Sequence, residues 1–159
     1  LLIEQFAHIH EREPEWKLHI LGDGEDRAKL EEQIAKLGAG SYIKLTGRKN
    51  GDEVESEMLS ASIFAMSSRS EGFPFVLMEA QSCGLPIIAY DVRVGPGAVV
   101  HDGEDGVLVP EGELQRYEDK LCELMDNPEL REKMSANAMA AIREFSEEKV
   151  AEKWYEVIE

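Results

Sequence analysis

Basic residues are scarce in this chain. Its 159 residues include 17 Lys and Arg against 33 Asp and Glu, which gives a formal net charge of −16 at pH 7. Nucleic acids and anionic lipid surfaces are bound mainly through clustered cations, and a negative field of this size repels them. The composition therefore argues against a nucleic-acid partner and against membrane contact by this segment.

Cysteine and long apolar runs are also scarce. The two cysteines, Cys83 and Cys122, have no CxxC spacing. They predict small buried hydrophobic side chains in a reducing compartment rather than a disulfide framework. No apolar stretch has the length of a membrane span, and the sequence shows no secretory n-region or h-region. From these absences we expect a cytoplasmic location.

The four histidines are spaced unfavourably for a metal site. His8 and His10 are two residues apart in a helical pattern and so do not share a face, while His19 and His101 have no partner at ligand spacing. We therefore expect no bound metal and no other cofactor.

The sequence does contain a regular alternation of strand and helix patterns. Apolar strand runs are predicted at Trp16–Leu21, Tyr42–Thr46, Ile63–Met66, Pro86–Tyr90 and Gly106–Val109. Helical periodicity is predicted at Leu1–His10, Glu25–Leu37, Val54–Leu59, Leu114–Met125, Pro128–Phe145 and Glu147–Ile158. Apolar strands separated by helices predict an α/β fold with a doubly wound, Rossmann-like parallel sheet and additional C-terminal helices. With 43% apolar residues, the chain can bury one sizeable core, so residues 1–159 are expected to form one domain.

The segment EGFPFVLMEA joins a loop to an apolar helix. Gly72 and Pro74 mark a turn at the start of this helix, and Gly84 provides a C-terminal stop. Glu71 then lies in the preceding loop, and Glu79 stands about 10 to 12 Å away along the helix, from a rise of about 1.5 Å per residue. The free N–H groups and the positive dipole end at the helix N-terminus would hold a diphosphate between the two carboxylates. This arrangement predicts a nucleotide-sugar site.

The same region carries a family resemblance. It resembles the GT-B fold retaining glycosyltransferases of the "glycosyl transferases group 1" type through Ser67–Ala80, Gly84–Ala89, the Gly95-Pro96 turn and His101–Val109. The resemblance implies that Glu71 binds the donor sugar and that Glu79 binds the ribose hydroxyls. It also implies that the sugar and phosphates are lined by the backbone of Gly72, Phe73, Pro74, Phe75 and Val76.

Two other loops are weaker candidates. Gly22-Asp23-Gly24 begins like a dinucleotide fingerprint, but Arg27 occupies the third glycine position, so an NAD site is not predicted. A tight turn is the simpler reading, and the resemblance adds that Gly22 flanks the nucleotide. Arg48 and Lys49 follow a strand where the resemblance implies contact with the base, although loop cations are commonly only solvated. Ligands of a doubly wound sheet bind at the carboxyl ends of its strands, which predicts convergence of Gly22, Gly47–Arg48, Ser67–Glu71 and Asp91.

The opening of the chain predicts missing upstream sequence. It starts without Met in an apolar helical pattern that no N-cap precedes, so we interpret residues 1–159 as part of a longer two-domain enzyme. The resemblance implies that an N-terminal domain and the first strand of this domain lie before Leu1, together with the Arg and Lys that neutralise the donor diphosphate. An acceptor glycan or lipid-linked glycan would bind to that N-terminal domain. Any association with a membrane would also be made by that domain.

The resemblance further implies a reaction. A sugar, most commonly from a UDP-sugar, would pass to an acceptor hydroxyl with retained configuration and without a metal, in polysaccharide, glycolipid or cell-envelope glycan synthesis. The full-length protein would be a hexosyltransferase, and the isolated fragment would be inactive. A non-catalytic nucleotide-sugar-binding module would keep the same Glu71 and Glu79 and remains the alternative. A phosphoacceptor receiver domain is disfavoured, because its acidic strand ends are replaced here by Gly22-Asp23-Gly24 and Ser67-Ser68.

Overall fold

The computed structural model of the chain describes residues 2–70, 72–93 and 95–158. Helices and strands alternate in the predicted order. The helices are α1 (Leu2–His10), α2 (Arg27–Lys36), α3 (Gly51–Ser60), α4 (Phe75–Ser82), α5 (Leu114–Asp126), α6 (Pro128–Ala141) and α7 (Glu147–Ile158). The strands are β1 (Leu18–Leu21), β2 (Ile43–Gly47), β3 (Phe64–Met66), β4 (Ile87–Asp91) and β5 (Gly106–Pro110). A 3₁₀ turn at Pro96–Ala98 precedes β5, and a second at Ile142–Phe145 replaces the end of the helix predicted over Pro128–Phe145.

The first strand begins later than its sequence pattern suggests. The apolar pattern starts at Trp16, but β1 begins at Leu18. The Trp16 N–H donates to the Glu13 carbonyl in a turn, and the Arg131 guanidinium lies 5.2 Å from the centroid of the Trp16 ring. The Trp16 ring therefore packs against Arg131 of α6. Because α6 is far away in the sequence, local periodicity does not reveal this contact.

The strand ladders are all parallel. β1 pairs with β2, while β3, β4 and β5 form a second sheet in that order. β4 is buried from Ile87 through Tyr90, as expected for an interior parallel strand covered by helices on both faces. The predicted α/β class is confirmed, with the five strands of the described residues divided between two sheets.

The alternation of side chains along β4 divides the core in two. Ile88 and Tyr90 belong to one cluster of buried side chains, together with α1 and α5. Ile87 and Ala89 belong to a second cluster, together with α3 and α4. Because successive residues of a strand point to opposite faces, these clusters lie on opposite sides of the sheet. The domain is therefore layered as helices, sheet and helices.

A buried tyrosine attaches α5 to the carboxyl end of β3 and to the first half of β4. The hydroxyl of Tyr117, on α5, lies 3.3 Å from the Met66 carbonyl oxygen and 3.4 Å from the Ile88 carbonyl oxygen. Burial raises the pKa of Tyr117 far above its ordinary value, so the hydroxyl remains protonated and can donate a hydrogen bond. The contact attaches α5 to the sheet close to the strand ends where ligands bind in such folds.

β5 approaches β4 closely at Gly106. A Cβ atom at Gly106 would lie 2.6 Å from the Ile87 carbonyl oxygen and 2.8 Å from Cγ1 of Val100. Only a residue without a Cβ fits this space without a shift of backbone. The glycine thus meets a packing requirement of the β4–β5 ladder.

Gly106→Ala is expected to lower the free energy of unfolding by about 1 to 3 kcal/mol, because the added methyl group meets a backbone carbonyl that cannot rotate away. Gly40→Ala is the matched control, since a Cβ there would have no atom within 4 Å; its effect should stay within about 0.5 kcal/mol. Urea unfolding midpoints measure both changes. Equal midpoints for Gly106→Ala and the wild-type chain would contradict the close approach.

Candidate functional site

The turn before α4 forms the centre of the predicted site. Pro74 is non-helical, with φ −83° and ψ 77°, and α4 runs from Phe75 to Ser82. Gly84 follows with φ +70°, which agrees with the predicted stop. The helix therefore begins beside Pro74 as expected, and its N-terminus follows the loop that leaves the carboxyl end of β3.

Not every backbone amide of this turn is available to a ligand. The Phe75 N–H donates to the Phe73 carbonyl at 3.0 Å, and the Leu77 N–H donates to the Pro74 carbonyl at 2.9 Å. Proline has no N–H. The Val76 N–H has no backbone acceptor within the ranges that the structure describes. Of the predicted lining residues from 74 to 76, Val76 is therefore the one that can offer its amide to an anion.

Of the two carboxylates of the motif, Glu71 and Glu79, the structure describes only Glu79. Glu71 lies outside the described residues, so its predicted contact with the donor sugar remains a prediction. Glu79 lies on α4 and is exposed. Its backbone carbonyl accepts hydrogen bonds from the Ser82 hydroxyl and the Cys83 N–H, but its carboxylate makes no hydrogen bond or ion pair with any described residue. The Glu79 carboxylate is thus open to a ligand.

Two aromatic rings stand exposed at the same turn. Phe73 and Phe75 are 44% and 68% exposed, and their ring centroids lie 5.1 Å apart in an edge-to-face arrangement. Phe145, in the turn before α7, lies 6.5 Å from Phe73. Of the apolar side chains of α4, only Leu77 and Ala80 are fully buried. The exposed rings give the site an apolar rim.

The loops that follow β1 and β2 meet as predicted. The Gly22 N–H donates to the Gly47 carbonyl at 2.9 Å, and both glycines adopt positive φ, at 128° and 78°. The Arg27 side chain extends from α2 towards this turn, with its Nη1 3.6 Å from a Cβ built on Gly47, and donates through Nε to Glu31 at 2.9 Å. The Gly22–Gly47 contact is therefore tight, and the Arg27 guanidinium lies beside it.

The two predicted base-contacting cations are placed differently. Arg48 is exposed. Lys49 is largely covered, and its Nζ lies 3.2 Å from Oε1 of Glu57 on α3. The other carboxylate oxygen of Glu57 lies 3.0 Å from Nδ1 of His19 on β1. The Lys49 side chain is therefore engaged in a structural contact, and only its backbone remains for the predicted role.

Sequence reasoning missed two polar contacts that hold the site together. One is the His19–Glu57–Lys49 cluster just described. The other joins α1 to the end of β4: the buried Gln5 side chain donates through Nε2 to the Tyr90 hydroxyl at 3.3 Å and to the Leu114 carbonyl at 3.1 Å. Burial raises the pKa of Tyr90. Neither contact has a local signal, because the partners are far apart in sequence.

The ionisable side chains form no candidate metal centre in the described part of the chain: no three His, Cys, Asp or Glu residues are grouped at ligating distance. His101 instead pairs with Asp105 through Nδ1 at 2.8 Å, and His10 stacks on Tyr42 with ring centroids 3.5 Å apart. None of the helices in these ranges has the length and apolar character needed to cross a bilayer.

Similarity to known proteins agrees with the geometry. The profile of the family described as "Glycosyl transferases group 1" matches residues 1–141. The GtfA subunit of the UDP-N-acetylglucosamine–peptide N-acetylglucosaminyltransferase of Streptococcus parasanguinis is 35% identical over 165 residues, which cover 99% of this chain and 32% of that protein. An exopolysaccharide phosphotransferase of Streptomyces coelicolor is 31% identical over 156 residues, which cover 98% of this chain and 16% of that protein.

A solved structure is similar over the whole fold. The pneumococcal O-GlcNAc transferase GtfA in complex with UDP and GlcNAc matches with a TM-score of 0.87 and 30% identity, over 99% of this chain and 32% of that chain. The chain therefore spans a third or less of the length of these three relatives.

The Glu57 cluster gives the domain a specific pH dependence. Its hydrogen bonds to His19 and then to Lys49 lower the pKa of Glu57 below its ordinary value of 4.5. A lowered folded-state pKa contributes stability above pH 4.5, and that contribution is lost as the pH falls through the folded pKa. Glu57→Gln should therefore lower the urea midpoint at pH 7 and converge with the wild-type chain in acid. Glu55→Gln, exposed on the same helix, is the control, and an equal change in both variants would contradict the assignment.

Proposed function

The chain belongs to the "Glycosyl transferases group 1" family, and from that premise we propose that it is the donor-binding half of a retaining glycosyltransferase. The donor is a nucleoside diphosphate sugar, with UDP favoured, and the acceptor is a hydroxyl group. The observation that carries the proposal is the exposed Glu79 carboxylate, which pairs with no described residue and lies one turn into α4, the helix after the loop that leaves β3. A similar chain, at 30% identity, is known in complex with UDP and GlcNAc, which supports the choice of nucleotide.

In the proposed site, Glu79 accepts hydrogen bonds from both ribose hydroxyls. The diphosphate lies at the N-terminus of α4, where the Val76 N–H and the positive end of the helix dipole favour an anion. Glu71 orients the donor sugar from the loop before the helix. The backbone of Gly72 and Phe73 completes the lining, and the turn with Gly22 flanks the nucleotide.

The chemistry of the proposed reaction requires little from this half beyond positioning. The departing phosphate takes the proton of the acceptor hydroxyl on the face from which the sugar leaves, so the anomeric configuration is retained and no metal is needed. Holding the donor rigidly lowers the entropic part of the barrier. We assign the acceptor site to an N-terminal domain, with polysaccharide, glycolipid or cell-envelope glycan as the acceptor class and a hexose as the transferred sugar.

The second candidate is a module that binds a nucleotide sugar without transferring it. It would use the same features of the described residues, the exposed Glu79 carboxylate and the start of α4, because both serve binding alone. The two candidates differ in the longer protein, since only an enzyme requires a second domain facing Glu71 and Glu79.

The isolated chain of 159 residues is expected to show no sugar transfer, because the proposed reaction needs groups from two domains. It should bind UDP only weakly, since the net charge of −16 repels a polyanion. Radiolabelled donor turnover against a no-protein control and calorimetric titration with UDP measure the two properties. Turnover above the control, or submicromolar UDP affinity, would contradict this expectation.

Substitution of the two carboxylates separates their proposed roles. Glu79→Ala should weaken UDP and UDP-sugar binding alike, by about 1.5 to 3 kcal/mol or roughly 10- to 150-fold, because charged hydrogen bonds to the ribose are lost. Glu71→Ala in the full-length enzyme should leave UDP affinity unchanged and lower kcat, because contacts to the transferred ring matter most in the transition state.

The control for this experiment is Glu132→Ala, which removes an exposed carboxylate on α6 and should change neither quantity. UDP affinity by calorimetry and kcat by donor consumption are measured for all three variants. Equal losses of UDP affinity from Glu71→Ala and Glu79→Ala would rule out the division of roles.

A further inference from the structure

Gln81 of α4 is a polar side chain buried in the interior of the fold, with 0% exposure. Its Nε2 donates to the Val99 carbonyl oxygen at 3.1 Å. Its Oε1 is also buried and accepts no hydrogen bond from any described residue. Burial of an unpaired polar atom costs free energy. The presence of Gln81 in the core therefore calls for an explanation beyond packing.

The Val99 carbonyl fixes the orientation of the Gln81 amide. Only the nitrogen of an amide can donate, and a half-turn of the amide would direct two oxygen atoms at each other. Gln81 thus satisfies one buried acceptor, the Val99 carbonyl, and adds another, its own Oε1, that no described residue pairs. An apolar side chain at this position would leave the same number of unpaired acceptors. A gain in stability therefore does not account for Gln81.

The hydrogen bond joins α4 to the connection between β4 and β5, residues 92–105. The described part of this connection makes no other hydrogen bond to α4. Val99 follows the 3₁₀ turn Pro96–Ala98, and its N–H donates to the Pro96 carbonyl at 3.0 Å. Gln81 therefore holds the end of this turn against the helix.

The turn has a particular backbone shape and lies close to a strand end. Gly95, immediately before it, has φ 132° and ψ −96°, a conformation that residues other than glycine rarely adopt. A Cβ built on Gly97 would lie 3.6 Å from Oδ1 of Asp91, the last residue of β4. The turn therefore sits at the carboxyl end of β4, where ligands bind in folds of this kind.

Gln81 and Glu79 lie on opposite faces of α4. Two residues apart in a helix are separated by about 200° around its axis, and Glu79 is exposed while Gln81 is buried. β3 and β4 are neighbouring parallel strands, with Met66 opposite Ala89. The loop that leads to α4 and the turn after β4 thus leave the sheet side by side. A donor held by Glu79 and the start of α4 would lie beside the turn.

We infer that Gln81 is a positioning residue that sets the placement of the turn Pro96–Ala98 relative to α4, and thereby the shape of the donor site. It contacts the donor only through the turn that it holds. Its effect on sugar transfer rests on the proposed function, whereas its effect on the turn is a property of the fold.

The test is Gln81→Met in the full-length protein. Methionine resembles glutamine in length and volume but has no N–H, so the hydrogen bond to Val99 is lost without a cavity. Leu77→Met is the matched control, because Leu77 is on the same helix, is 0% exposed and has no polar side-chain atom. Amide hydrogen exchange by mass spectrometry, the thermal midpoint, UDP affinity and kcat with a UDP-sugar are measured for both variants and the wild-type protein.

In Gln81→Met, the amides of residues 98–100 should exchange about tenfold faster or more. These amides donate within the turn to Gly95 and Pro96, and the turn is no longer held. The amides of β4 are the internal reference and should keep their exchange rates. The thermal midpoint should stay within about 3 °C of the wild-type value, since the number of unpaired buried oxygen atoms does not change.

The binding and kinetic results should divide in the same way. UDP affinity should be unchanged in Gln81→Met, because Glu79 and the start of α4 keep their positions. The kcat should fall about tenfold or more, because the turn beside the donor is displaced. Leu77→Met should leave the exchange rates, UDP affinity and kcat unchanged.

Three results would overturn the inference. The first is unchanged exchange at residues 98–100 in Gln81→Met. The second is a Gln81→Met protein that fails to fold, or that melts well below the wild type with faster exchange throughout α4 and β4, since Gln81 would then have only a structural role. The third is faster exchange in the turn with an unaltered kcat. A wild-type protein that neither binds UDP nor consumes a UDP-sugar would instead refute the proposed function, and the exchange rates would still decide whether Gln81 places the turn.

Discussion

Parallel backbone pairing is the constraint on which the rest of this structure depends. An interior strand of a parallel sheet has both of its edges paired and both of its faces covered. β4 meets all four conditions: its ladders to β3 and β5 satisfy its edges, and its alternate side chains enter the two cores. The tight passage of Gly106 against Ile87 follows from the same ladder. Within the described residues, each of the other four strands is paired on one edge.

The candidate site follows from this pairing. Because the strands of each ladder run in the same direction, their carboxyl ends and the loops that leave them gather at one edge. Gly22 and Gly47 meet there through a backbone hydrogen bond, and the loop after Met66 delivers the turn at Pro74. Tyr117 and Gln5 then tie α5 and α1 to the ends of β3 and β4. The exposed carboxylate of Glu79 is therefore carried by a helix whose start is fixed by the sheet, which is the rigidity that a binding site needs.

Much of the fold could be predicted from the sequence, because its signals are local. The apolar strand runs, the Pro74 start and the Gly84 stop of α4 all depend on neighbouring residues, and the structure agrees with them. The late start of β1 could not be predicted, because the position of Trp16 is decided by Arg131 across the fold. The same holds for the candidate site: the start of the helix that carries Glu79 could be predicted from Pro74, but nothing near Lys49 in the sequence indicates that its side chain pairs with Glu57. The exposure of Phe73 and Phe75 could not be predicted from the sequence either, because an apolar run does not show which of its residues face the core.

Charge sets the last requirement on the proposed site. A donor diphosphate would approach a chain with a net charge of −16, and two nearby cations are already engaged, Arg27 by Glu31 and Lys49 by Glu57. The Val76 N–H and the dipole of α4 contribute only a partial positive charge, equivalent to about half an elementary charge at a helix N-terminus. Partial charges of this size orient a diphosphate but do not neutralise it. The proposed binding of a nucleotide sugar therefore calls for further cations, such as the exposed Arg48, Arg69 and Arg93 of this domain, and the acidity of the domain makes the affinity depend on them.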